Sequence, residues 1–274
     1  MQNLKIIFDN SADAATITAS STSASLVAAN MQSDIKSRVH RSAGLSVSYT
    51  LTWVGDVSVG GVALPATNLS GASTIRIRLY NAANALLADS GVNPAAPGLN
   101  LGLWNWNQPI NANTFAYGGV AKTSYFFDQH YTARKCVIDL VDTSANLAGY
   151  IDCSRIVAGP YWSPSITADF GASVSIVDTS NTQRSEAGDL ISNRGTMYDK
   201  LSFSMGALTE TDRAGLMLLI RKSGVARNIF VSLLPDCASD KAEQDFMIYG
   251  KRANNDIKYD YVNRFSNSFE VEGW

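Results

Sequence analysis

Leu45, Val47, Tyr49, Leu51 and Trp53 alternate with mostly polar or small residues, and Ile75, Ile77 and Leu79 alternate with Arg76 and Arg78. A period of two predicts half-buried strands over 45–53 and 74–80. Shorter apolar runs predict further strands over 5–8, 57–64, 125–127, 135–141 and 149–157. Turn chemistry separates them, and 81–119, with its Asn-Pro and Ala-Pro-Gly, reads as one long decorated loop. Many short strands without a good helix indicate a β-sandwich or jelly roll.

The pattern changes after Gly159-Pro160-Tyr161-Trp162-Ser163-Pro164, where two prolines enforce extended backbone. This predicts two domains, 1–163 and 164–274. In the second, strands over 170–177 and from Leu201 flank a polar stretch, 178–198, and together they read as one long β-hairpin whose distal part projects as an arm. A lone two-stranded ribbon is marginal in water, so the arm is expected to be either mobile in the monomer or ordered by a neighbouring subunit. Its charged residues Asp178, Arg184, Glu186, Asp189 and Arg194 are the candidate inter-subunit contacts. Thr209 then caps a helix with Glu210 and Asp212 in its first turn, Arg221 and Lys222 in its last, and Gly224 beyond. That helix is apolar nearly all round, which predicts cover on more than one side. A strand over 229–233 follows, then a polar loop over 237–245, then strands over 246–250, 259–262 and 265–271. The fold class is mainly β, a sandwich plus a β domain with one α-helix and a long hairpin arm.

Hydrophobic residues at 46% of 274 support a sizeable core, and a net charge of −2 argues against a broad nucleic-acid footprint. No apolar run approaches the ~20 residues of a membrane span, and the N-terminus turns polar too soon for a signal peptide. Synthesis in the cytoplasm is therefore expected, without membrane insertion. If 136–140 and 149–153 form a hairpin, Cys136 faces Cys153, where buried thiols are expected rather than a disulfide. Cys237 is the third cysteine; without a Cys-x-x-Cys, and with His40 and His130 isolated, neither metal nor cofactor is expected. Arg38 and Arg41 should depress His40, a poor setting for catalysis. The carboxylate doublets Asp139/Asp142 and Glu270/Glu272 read as outward-facing, so no enzyme is expected. Trp104 and Trp106, interleaved with Asn105 and Asn107, are a candidate glycan or subunit contact, because indoles stack on sugar C–H faces while amides bond hydroxyls.

Residues 30–42 and the 45–53 strand resemble the opening of discoidin-like jelly-roll modules, as does 62–70 leading into 75–80. The stretches 131–140 and 148–162 are similar to the closing strands of such modules in bacteriophage tail proteins. The second half, with its polar hairpin, single helix and return strand, looks like the ring-forming domain of tail-tube and tail-tip proteins of long-tailed phages. The resemblance implies a virion structural protein of the tail tip, of the distal tail protein kind, forming a hexameric ring or a trimeric one with pseudo-sixfold geometry. Its implied neighbours are the tail tube protein, the tail-tip hub and the tape measure protein, with DNA only in transit and a host glycan as a further partner. The alternative is a carbohydrate-binding host-surface adhesin module. The four-cysteine set of an iron–sulfur tail-tip hub is absent.

Overall fold

The computed structural model describes residues 3–96, 120–235, 240–261 and 264–274. Its first sheet is built on two long antiparallel strands, β4 (Ser46–Thr67) and β8 (Ala121–Val141), paired from Ser46 opposite Val141 to Thr67 opposite Ala121. Register shifts at Thr52/Val57, Val59/Gly61 and Leu64/Thr67 interrupt this ladder, and such irregularities let paired strands bend. One half of the pair is flanked by β2 (Thr16–Ala19) and β5 (Thr74–Tyr80). The other half meets β9 (Asp152–Cys153) and β10 (Val157–Gly159), and β3 (His40–Arg41) pairs with β9. The result is a β-sandwich of jelly-roll type. Tyr49, Leu51 and Trp53 from one half share a core with Val62, Leu64 and Ile151 from the other.

Several expectations change here. The strands expected over 45–53 and 57–64 are one strand, as are those over 125–127 and 135–141; the breaks are bends, not turns. Within the expected long loop, β6 (Leu86–Asp89) and β7 (Asn93–Pro94) pair with β5. The 136–140/149–153 hairpin does not form. Cys136 lies opposite Leu51 and Leu79, whereas Cys153 lies opposite His40 and Thr67. Both thiols are free and buried, and burial pushes each up to about 12.

The second sheet runs β11 (Tyr161–Trp162), β1 (Lys5–Ile7), β16 (Ile229–Ser232), β17 (Met247–Arg252), β19 (Arg264–Gly273), β15 (Met197–Leu208), β12 (Ser173–Asp178), with β18 (Lys258–Tyr261) also on β19. Residues 1–163 therefore do not all serve the first sheet, since β1 is hydrogen-bonded between β11 and β16. Alternation explains the arrangement: Leu4 and Ile6 enter the second core, while Ile7 faces the junction. Helix α1 (Glu210–Ser223) packs Leu216 and Leu219 onto Leu201, Phe203 and Phe269. Leu218 on its outer side is exposed, so the helix is covered on one side in the isolated chain. The stretch expected as a polar loop contains a second helix, α2 (Asp240–Asp245).

The two sheets meet across a mixed seam. Ile7, Ala63, Val157, Phe230, Met247 and Tyr249 form its apolar part. Lys122 binds Asp199 (2.7 Å) and the Met247 carbonyl (2.8 Å), and its backbone amide donates to Gln244 Oε1 (3.1 Å). Arg155, almost wholly buried, donates two bonds to Asp13 (2.7 and 2.9 Å) and one to Tyr249 Oη (3.0 Å). Tyr249 Oη in turn donates to Asp34 (2.7 Å).

Candidate functional site

The expected arm is present. Beyond β12 and β15 the hairpin continues as a separate two-stranded ribbon, β13 (Asn181–Arg184) with β14 (Leu190–Asn193). All eight ribbon residues are exposed, including Leu190 at 62% and Ile191 at 61%. At the joint, hydroxyls supplement the backbone ladder: Thr179 Oγ1 donates to the Thr196 carbonyl (2.8 Å) and accepts from the Thr196 amide (2.9 Å), and Ser180 Oγ accepts from Gly195 (2.9 Å). Gly195 has no room for a Cβ, which would run into the backbone at Thr179–Ser180. Gly188, at φ +91°, closes the distal turn in a conformation that glycine tolerates best.

Each charged arm candidate can be placed. Asp178 ends β12 and accepts from the Ser180 amide (2.8 Å). Hydrogen bonds from Ser180 hold its carboxyl below the usual range, with a further pull from Arg194. Arg184 donates to the Gly188 carbonyl across the turn (3.0 Å), Glu186 lies exposed within that turn, and the Asp189 amide donates to Ser185 Oγ (3.0 Å). Arg194 follows β14. Arg184, Glu186, Asp189 and Arg194 therefore lie beyond the second sheet on the projecting part of the hairpin, and Asp178 lies at its base, at the end of β12. Trp104, Asn105, Trp106 and Asn107 lie outside the described residues, as does Cys237.

The groups weighed for catalysis are dispersed. His40 is fully buried, bonded through Nδ1 to Tyr49 Oη (3.0 Å) and through Nε2 to the Ser21 carbonyl (3.1 Å). Burial, not Arg38 or Arg41, lowers its pKa; Arg41 is engaged with Asp152. His130 packs edge-on against Tyr161 and is likewise lowered by burial. Asp139 pairs with Arg78, and Lys200 with Glu270. Asp142 is not outward-facing: it is buried and gathers Ser70, Thr143 and Asn146. Among the described residues no cluster of three or more His, Cys, Asp or Glu is placed to hold a metal ion. No helix among them is long and apolar enough to cross a membrane.

A cleft of about 460 Å³ opens where the first sandwich meets the base of the arm. Sequence reasoning did not single it out. It is lined by Lys36, Arg41, Asp152, Tyr198 and Trp274, drawn from four separate stretches of chain, so no local pattern could signal it. Arg41 and Asp152 form a two-pronged ion pair, Nε to Oδ1 and Nη2 to Oδ2, both 2.8 Å. The Arg41 guanidinium also stacks on Tyr150 at 3.9 Å. Lys36 Nζ donates to the Trp274 carbonyl (3.3 Å), and the Trp274 indole N–H donates to the Asp34 carbonyl.

No family model matches the chain, and no curated protein matches it. Among solved structures it is similar to the lectin domain of lectinolysin in complex with Lewis B antigen, at 16% identity over 55% of this chain and 95% of that one, with a TM-score of 0.38. It is also similar to a Streptococcus pneumoniae fucose-binding module (14%, 55% and 94%, 0.38). A third is the family 32 CBM from C. perfringens NanJ in complex with galactose (14%, 58% and 99%, 0.38). At these values the likeness supplies no residue, ligand or partner for this chain.

Proposed function

We propose that this chain is a non-catalytic assembly subunit that joins copies of itself into a ring, of the distal tail protein kind at the tip of a long-tailed bacteriophage. The β13–β14 ribbon carries the reading. It exposes two large aliphatic side chains on an element with no core of its own, and a ribbon of this kind gains stability only by packing on something else. The strand it grows from, β12, is also an edge of its sheet among the described residues, open to strand addition. In this reading the second sheet and α1 form the ring wall, between tail tube and tail-tip hub, and the first sandwich hangs outside. The subunit is made in the host cytoplasm and ends in the virion. A net charge of −2 suits a wall past which DNA moves without being held by Lys and Arg.

The test compares the full chain with a variant in which 181–193 is replaced by an Asn-Gly turn, using light scattering and electron microscopy. Rings in the first and a folded monomer in the second are expected. A full chain that stays monomeric at high concentration, or a shortened one that assembles equally well, would defeat the proposal.

The junction cleft favours a second reading, a carbohydrate-binding adhesin. Aromatic side chains beside a fixed Arg–Asp pair are the groups a sugar needs, and the jelly-roll sandwich provides the frame. The two readings are compatible, since a ring subunit can present such a cleft to a host surface.

A further inference from the structure

We infer that the cleft between the sandwich and the base of the arm is a saccharide site, with the Arg41–Asp152 pair as its hydrogen-bonding floor. This rests on the sugar-binding reading above but assigns the site to residues other than Trp104 and Trp106. The volume, about 460 Å³, falls within the range of small-molecule sites. Asp152 is only 3% exposed, and both its oxygens are fixed by Arg41. The pair is held rigid from three sides: by β3–β9 pairing, by Tyr150 beneath the guanidinium, and by Asn68, whose side-chain oxygen accepts from the Asp152 amide (2.8 Å). Each carboxylate oxygen retains a lone pair, and Arg41 Nη1 has no partner among the described residues. A planar pair that both accepts and donates suits adjacent hydroxyls, which do the same. Tyr198 and Trp274 supply aromatic surface for the C–H face of a ring. An anion is a poorer occupant. The Arg41 charge is already matched by Asp152, and Lys36 is committed to the Trp274 carbonyl. An aliphatic peptide segment would leave the hydrogen-bonding capacity of the floor unused.

The experiment titrates the full chain with a panel of free mono- and disaccharides, followed by saturation-transfer NMR and calorimetry. Inorganic sulfate serves as the anion probe. Saturable binding of at least one sugar is expected, weakened tenfold or more in Tyr198→Ala and in Ser37→Trp. The second variant fills the cleft from an exposed rim position and removes none of its bonding groups. Binding should persist in the Trp104→Ala/Trp106→Ala double variant. If sugar binding is lost in that double variant and kept in the two cleft variants, this site is wrong while the adhesin reading survives. If no sugar binds, both fall; if sulfate binds and sugars do not, the saccharide assignment falls.

Discussion

Arg252 is 2% exposed, and its guanidinium lies 4.2 Å from the centre of the Phe269 ring. None of its three nitrogens has a hydrogen-bond partner among the described residues. Burial pushes its pKa down to about 10, against the opposing pull of Asp256. A charge withdrawn from water without hydrogen bonds opposes folding. Arg252→Met keeps the chain length and the contact with Phe269 while removing that charge, and should stabilise the fold by about 1 kcal/mol or more. Urea denaturation would read this, and a loss of stability would show that the guanidinium is satisfied in solution. His40 makes an opposite, pH-dependent case. An unfolded imidazole titrates near pH 6.5, whereas burial lowers the folded value despite the Ser21 carbonyl and Asp152, which act the other way. Between the two values the unfolded chain binds the proton more readily. The contribution of His40 is therefore complete above about pH 6.5 and shrinks as pH falls below it. The melting temperature should drop from pH 7.5 to 5.0, and drop less in His40→Gln; equal drops would assign the effect to other groups.

Helix α1 begins in a capping box. Thr209 Oγ1 accepts from the Asp212 amide (3.2 Å), and the Asp212 carboxylate accepts from the Thr209 amide (3.1 Å). The same carboxylate accepts from the Thr209 hydroxyl (2.7 Å) and reaches out of the helix to the Ser165 amide (2.9 Å) and hydroxyl (2.5 Å), so it also anchors the chain entering β12. Thr209→Ala should cost about 1 kcal/mol, as a lost cap does, and Asp212→Asn about 2, because an amide cannot accept all four bonds and the lost ones are charge-assisted. Equal losses in chemical denaturation would mean that the Ser165 tie adds nothing. The box shows why the start of this helix was legible: its signals, Thr209, Glu210 and Asp212, lie within four residues. Strands with one wet and one dry face were legible for the same reason, as at Ile75, Ile77 and Leu79. Val54, Gly55 and Asp56 misled because all three are exposed where β4 bends, and exposure there imitates a turn. Asp240–Asp245 misled because six mostly polar residues carry no apolar stripe. The Cys136–Cys153 pairing failed on topology, since β9 pairs with strands more than 80 residues away in sequence and alternation holds no record of partner choice. The cleft, assembled from distant stretches, was invisible on the same ground.

How the two sheets are joined decides what the arm and the cleft can do. Tyr198 belongs to the second sheet and Arg41 to the first, so the cleft keeps its shape only while the seam is intact. Arg155 ties Asp13 and Asp34 of the first part to Tyr249 of the second, and Lys122 crosses from the first sheet to Asp199 and Met247. These bonds are charge-assisted and largely shielded at the cationic end, each worth about 1.5–3 kcal/mol. The half-exposed Asp13 and Asp34 place them at the lower side of that range. When the cations are removed, the seam is left to the apolar contacts of Ile7, Phe230 and Tyr249, the Tyr249–Asp34 bond and the bonds of Gln244 to the Lys122 backbone. Differential scanning calorimetry of the full chain should therefore show one transition, and the Arg155→Met/Lys122→Met variant two. In that variant the second sheet should melt first, since its β1 strand is anchored through the seam. If the double variant still melts as one unit, those remaining contacts suffice. The cations would then set the angle between sandwich and wall rather than their cohesion, and the orientation of the sandwich on an assembled ring would be the property to measure.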